Sequence, residues 1–364
     1  MAKAPKSKRT TTADAAPATG TGDAAARIAQ IDRELASLMQ SRARLVIETA
    51  ASVGLDEPAI AELIESSPGP LPPQCVRAVF RELSSGCRAL VRPVRIACLG
   101  PLYSYSHLAA IDRFGRSVEI VPVGTISAVF EEVDCGHSDF GLVPFENSTD
   151  GRISDTLDMF TRVPVKICDQ VEMPIHHTLL GKCLRTEIQE VYSRQQPLSQ
   201  CRNWLAKHLP AARLIEVTSS STAAQLAGTK AGAAAIASRQ AGVEYGLNVL
   251  AENIEDNPHN TTRFAVIGGR APERTGNDRT AILFQMEHRP GTLADAVNVF
   301  KRNKVNLTWI ESFPVPGSDR AYLFFAEMEG HQTEPRFRRA MAALERKALR
   351  LEVLGSFPAT TAEG

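Results

Sequence analysis

The sequence predicts a multidomain protein: an all-α N-terminal segment, an α/β body and an α+β module of ferredoxin-like order. Three observations carry this. Apolar residues recur every three or four positions up to about residue 91, short extended and helical segments alternate from Val94 to about residue 270, and a strand, helix, strand, strand, helix, strand order follows. The 364 residues suffice for about two or three domains. Balanced charge, 41 Lys+Arg against 41 Asp+Glu, removes the long-range field on which a general nucleic-acid or anionic-membrane binder relies. Neither partner is expected.

Residues 1–23, mostly Ala, Thr, Lys, Gly and Pro, read as a disordered tail. From Ala24 to Val53 the stripe Ile28, Ile31, Leu35, Leu38, Met39, Leu45 and Val46 predicts one long amphipathic helix. The segment SSPGPLPP (66–73) breaks it, and a second helix is expected from Gln74 to Val91. Two helices bury too little alone, so this unit, 24–92, calls for a partner chain or domain. In the unit 93–270, strands are expected at VRIACLG, VEIVPV, FGLVPF, ARLIEVT, AAAIAS and RFAVIGG, with ISAVFEEV and QCRNWLAKHL among the intervening helices. Ligands of such an architecture sit at the carboxyl ends of strands. The polar stretch APERTGNDR separates it from a third unit, 279–357.

Seven scattered cysteines without a C-x-x-C pair argue against a disulfide framework or structural zinc and for the reduced thiols of a cytoplasm. No apolar run reaches the length of a bilayer span, and the first residues lack the apolar stretch of a secretory signal. His176 and His177 are adjacent, so on a strand they point to opposite faces and cannot share one ion. No metal or cofactor is expected.

Four polar clusters lie where the α/β unit turns between strand and loop: Gly100 to His107, Val143 to Ser148 with Gly151 and Thr156 beyond, Ser219 to Thr222, and Asn260 to Phe264. Turns and caps alone attract such residues, but four clusters at strand ends of one unit point to a cleft for a small polar anion. Hydroxyls, amides and one arginine would bind it.

These clusters carry a resemblance. GPLYSYSHLAA, VPFENSTDGRISDTLD and NTTRF, in this order, resemble three motifs of the prephenate dehydratase family, and PIHHTLL, Gln196, Ser221 and Thr222 add to the match. The resemblance implies two α/β subdomains, similar to periplasmic binding proteins, with the active site in the cleft between them. It also implies loss of water and CO2 from prephenate to give phenylpyruvate, in phenylalanine biosynthesis. By resemblance Thr262 is the threonine at the departing hydroxyl, Asn147 and Ser148 orient the substrate, and Glu146 and His107 are candidate proton reservoirs. Ser104, Ser106, His107, Thr156, His177, Gln196, Ser221, Thr222 and Arg263 are the further candidates for substrate binding. Tyr103 stands where the family has Gly, and Ser104 where it has Thr.

Residues 279–357 resemble the ACT regulatory domain, with Gly291, Thr292, Leu293, Glu311 and Ser312 in the segments that bind phenylalanine between paired chains in relatives. Phe313 replaces the family's Arg. The N-terminal helices resemble a chorismate mutase domain, with Arg42 at its carboxylate-binding arginine. Ala25 and Val53 replace its first arginine and essential lysine, and Cys87 and Val91 fall at its hydroxyl and its Gln or Glu. A mutase-like domain with little activity and a dimerising role is therefore expected, within a homodimer or homotetramer. The alternatives are an enzyme that performs both steps, a dehydratase acting on arogenate, and a non-catalytic small-molecule sensor.

Overall fold

The computed structural model describes residues 21–49, 57–270, 272–314 and 322–359. The expected tail lies outside them as far as residue 20, as does Val53, and Thr21 already belongs to a helix. That helix, α1 (Thr21–Thr49), leaves Ile28, Ile31, Leu35, Leu38 and Leu45 exposed and only Val46 buried; Arg42 is half-buried on it. Among the described helices none is long and apolar enough to cross a membrane.

The remainder opens with α2 (Glu57–Ser66), which the periodicity did not reveal because ten residues before a Pro-rich break hold too few turns. Then α3 (Pro73–Val91) begins with proline in its first turn, where a missing N–H costs nothing. It is fastened to the following lobe: Arg81 Nη1 donates to Asp112 Oδ1 at 2.7 Å, and the Ser117 N–H donates to Ser85 Oγ at 3.1 Å.

The first lobe contains β1 (Arg95–Leu99), α4 (Tyr105–Phe114), β2 (Glu119–Val123), α5 (Ile126–Asp134), β3 (Phe140–Asn147), β4 (Gly151–Arg152), α6 (Ser154–Phe160) and β5 (Lys166–Pro174). The chain crosses to a second lobe of β6 (Thr178–Gly181), β7 (Glu190–Ser193), α7 (Gln195–Gln200), α8 (Arg202–His208), β8 (Arg213–Glu216), α9 (Ser220–Thr229), β9 (Ala233–Ala237), α10 (Arg239–Glu244) and β10 (Asn248–Ala251). It returns as β11 (Thr261–Gly268), antiparallel between β3 and β5, completing the first sheet in the order β2-β1-β3-β11-β5. The second sheet runs β10-β6-β9-β7-β8. The two crossings are bonded to each other, Ile175 N–H to Asn260 O at 2.8 Å and Ile254 N–H to His177 O at 3.0 Å.

Strands β5, β6, β7 and β10 were not expected. Three are only four residues long, and β5 interrupts its apolar residues with Lys166 and Gln170, which bond to the C-terminal module. That module is β12 (Asp278–Gln285), α11 (Thr292–Arg302), β13 (Leu307–Pro314), β14 (Tyr322–Glu329), α12 (Pro335–Glu345) and β15 (Arg350–Pro358), with sheet order β13-β14-β12-β15. One face of its sheet packs on α11 and α12 around Phe284, Phe300 and Phe337. The other face joins the first lobe in one continuous core, where Phe145, Phe160 and Ile167 meet Phe313, Phe325 and Phe357. Gly355 permits that approach, since a Cβ there would stand 2.1 Å from Ile167 O.

Candidate functional site

Both lobes present strand ends to one cleft. Parallel β1 and β3 end there at Leu99 and Asn147, antiparallel β11 begins there at Thr261, and from the second lobe come the ends of β7 and β9 and the start of β6. The cleft holds a cavity of about 470 Å³ lined by Ser104, Ser106, Thr125, Asn147, Thr262 and Phe264 from the first lobe. Arg194, Gln196, Gln200, Ser220 and Ser238 line it from the second, with Ile175 and His177 from the crossover.

A chain of hydrogen-bond donors and acceptors, ending on the Asp150 carboxylate, runs through its floor. The Asn147 amide donates to Thr262 Oγ1 at 2.8 Å and to Asn260 Oδ1 at 3.0 Å, while Asn147 Oδ1 accepts from the Thr149 and Asp150 N–H groups at 3.0 Å each. Since Thr262 Oγ1 accepts here, its own hydrogen remains available. Gln200 Oε1 accepts from Asn260 Nδ2 at 3.1 Å and lies 2.8 Å from His177 Nε2; Gln200 Nε2 donates to Asp150 Oδ2 at 2.8 Å. This orientation assigns the proton of His177 to Nε2 and leaves a bare, buried Nδ1 without a hydrogen-bond partner among the described residues. Burial lowers the His177 pKa, so the ring is neutral near pH 7.

The Gly100 to His107 turn spans the cleft. Tyr103 adopts φ +65°, the left-handed region ordinarily left to glycine, and its ring packs with Ile215, Val217 and Tyr245 against the Ala-rich core of the second lobe. Its carbonyl accepts from Ser238 Oγ at 2.9 Å. Ser104 caps α4, accepting from the His107 N–H at 3.3 Å.

Several expected site residues lie elsewhere, for identifiable reasons. Glu146 and Arg263 neighbour Asn147 and Thr262 in sequence, so strand alternation turns them to the opposite face. There Arg263 Nη1 meets Glu146 Oε2 at 2.5 Å, Arg263 Nη2 meets Glu327 Oε2 of β14 at 2.7 Å, and the guanidinium stacks 4.6 Å from the Phe145 ring centre. His107 is not among the cavity-lining residues; its Nδ1 accepts from the Tyr103 N–H at 3.0 Å, and burial lowers its pKa. Thr156 is buried with its hydroxyl on Pro144 O at 2.6 Å. Exposed Ser148 ties down the start of β11, accepting from the Thr261 N–H at 2.9 Å. Ser219 caps α9 by accepting from the Thr222 N–H at 3.0 Å; of that cluster Ser220, not Ser221 or Thr222, reaches the cavity. Cys98 and Cys168 are pushed up to about 12 by burial, as expected of core thiols rather than nucleophiles.

Asn260, Gln200, Asp150 and Arg194 join the site beyond the residues expected from the sequence. Asn260 stands in a motif that was noticed; Arg194 is a lone cation before a short helix, which nothing in the sequence distinguishes from a solvated arginine.

In the C-terminal module, Gly291 takes φ +88° to start α11, and Thr292 Oγ1 donates to Glu287 O at 2.8 Å; Leu293 is exposed. Arg152 Nη1 contacts Glu311 Oε1 at 2.5 Å and also donates to Ser312 O, so the first lobe already holds this segment.

Residues 96–272 match the family model described as prephenate dehydratase. A bifunctional chorismate mutase/prephenate dehydratase of Stutzerimonas stutzeri is 38% identical over 349 residues, covering 91% of this chain and 96% of that protein. One from Aquifex aeolicus (strain VF5) is 39% identical over 346 residues, with the same coverage of 91% and 96%. The crystal structure of a prephenate dehydratase in complex with L-Phe from Arthrobacter aurescens superposes with a TM-score of 0.67 at 32% identity, covering 74% of this chain and 93% of that one.

Proposed function

Because this chain belongs to the prephenate dehydratase family, we propose that its cleft dehydrates and decarboxylates prephenate to phenylpyruvate, with Thr262 as the donor to the leaving hydroxyl. The observation that carries this is the Asn147 amide donating to Thr262 Oγ1, which aims the threonine hydrogen away from Asn147. The bond from the ring carbon to its carboxylate breaks and releases CO2. Its electron pair restores aromaticity as the ring C–O bond breaks, and the departing oxygen takes a proton and leaves as water. A free threonine is a very weak acid, so Thr262 acts as a positioned donor to the oxygen as charge develops on it. Arg194, on the cavity wall, supplies the charge-assisted contact for a substrate carboxylate. The bare Nδ1 of His177 accepts a hydrogen bond from bound substrate.

The C-terminal module is read as an ACT domain that takes phenylalanine at Gly291, Thr292, Leu293, Glu311 and Ser312 between paired chains. Its βαββαβ order supports this, and the named Arthrobacter structure is itself a complex with L-Phe. Saturating phenylalanine should change the rate or the melting temperature; a change in neither sinks the effector reading. The N-terminal helices are read as a mutase-like domain without effective activity, given Ala25 and Val53. A second reading, in which both steps are performed, is favoured by the two bifunctional relatives that match 91% of the chain.

The deciding assay follows phenylpyruvate by absorbance, with prephenate and chorismate supplied separately to the full chain and to Thr262→Ala. Product from prephenate alone, lost in the variant, is the expected result. Product from chorismate establishes the bifunctional reading, and product from neither leaves a sensor.

A further inference from the structure

Beside the apolar contacts of the shared core, the C-terminal module sets a buried carboxylate against the catalytic strands. Glu327 of β14 is fully buried, a placement that is costly for a charge unless partners surround it. Its Oε2 takes Arg263 Nη2 at 2.7 Å, its Oε1 accepts from Gln170 Nε2 at 3.0 Å, and Arg279 Nη1 lies 4.0 Å away. Arg263 is the residue after Thr262, and in the β3–β11 register Thr262 faces Asn147 while Arg263 faces Glu146. The neutral pair that lines the cavity therefore has the ionic pair at its back, one residue on in each strand direction. The ladder shifts register just past Arg263, so the Glu146–Arg263 pair is the last regular step between the Asn147–Thr262 pair and that irregularity. Trp309 of the C-terminal module closes the guanidinium in, 5.8 Å from its ring centre.

We infer that Glu327 is a positioning residue for the dehydratase reaction: by holding Arg263 from behind, it sets the distance between Asn147 and Thr262 on the cavity side. The inference rests on the reading that Thr262 serves the leaving hydroxyl. Glu327 never touches substrate. Its removal should therefore slow the chemical step while leaving substrate binding by Arg194 and the cavity walls intact.

The test compares full-length Glu327→Gln and Glu327→Asp with the parent in steady-state kinetics on prephenate, at a temperature well below the lowest melting point. Glu327→Gln keeps the shape but turns an amide toward the guanidinium; Glu327→Asp keeps the charge and shortens its reach. The expected result is a kcat lowered about tenfold in Glu327→Gln and about threefold in Glu327→Asp, with KM within about twofold in both. A folded Glu327→Gln with kcat within about twofold of the parent overturns the inference, as does a rise in KM equal to the fall in kcat. Should Glu327→Gln fail to fold, Glu327→Asp decides alone, an unchanged kcat being the adverse outcome. A parent chain that makes no phenylpyruvate, or a fully active Thr262→Ala, fails the underlying reading instead and is recognised before either variant is measured.

Discussion

The two faces of the β3–β11 pair use adjacent residues for opposite purposes. On the cavity side, Asn147 and Thr262 are uncharged; Asn147 commits its amide to Thr262, Asn260 and two backbone N–H groups, and so leaves the Thr262 hydrogen directed by a fixed neighbour. On the other side, Arg263 spends its charge on Glu146 and on Glu327 of the C-terminal module. The cavity offers the preset neutral Thr262 hydroxyl with the Arg194 guanidinium on its wall, while the ion pairs behind brace the strands where water is scarce.

The largest effect that would sharpen this contrast is on rate. Thr262→Ala should lower kcat by about 10²–10³-fold, the scale seen when one donor to a developing oxyanion is removed, with the melting temperature shifted by only a few degrees. Equal losses of rate and stability would erase the distinction between the faces. Arg263→Met should cost about 3 kcal/mol of stability, because it leaves Glu327 buried without its main counter-charge, and a denaturant titration reads it directly. Smaller is Arg194→Gln, which should raise KM for prephenate about tenfold with kcat little changed; an unaltered KM would remove Arg194 from the site.

The smallest effect lies in the second lobe, far from both faces. Glu190 is held down to about 2 by hydrogen bonds from Lys230 and Tyr192 and by the nearby Arg213 charge. Its folded pKa is below its unfolded one, so its contribution is complete above about 4.5 and disappears as pH falls to about 2. The melting-temperature gap between the parent and Glu190→Gln should close across that window, and a gap independent of pH would contradict the assignment.

How much of this could be read in advance follows from the same alternation. The motifs placed Asn147 at the carboxyl end of β3 and Thr262 at the entry to β11, and the family resemblance gave the two their roles. A motif does not say which of two neighbours faces the cleft, so Glu146 and Arg263 were assigned to the substrate. Ser148, Thr156 and Ser219 to Thr222 illustrate a different limit, since bracing a turn and binding an anion call for the same hydroxyl. Glu327 was invisible: in the run LFFAEMEG it reads as the solvent side of a strand, and only the packing of two sheets buries it. The C-terminal unit looked separable for the same reason, a polar linker being visible in one dimension and a shared core not.

Tyr103 gives the cleft one more property. A tyrosine in a glycine conformation costs backbone energy, which the contact of its ring with the far lobe offsets. Part of the freedom that two hinged lobes would lose on closing over a ligand is therefore surrendered once, during folding. Binding starts from lobes that are already tethered, and less of the interaction with substrate is consumed in restraining them.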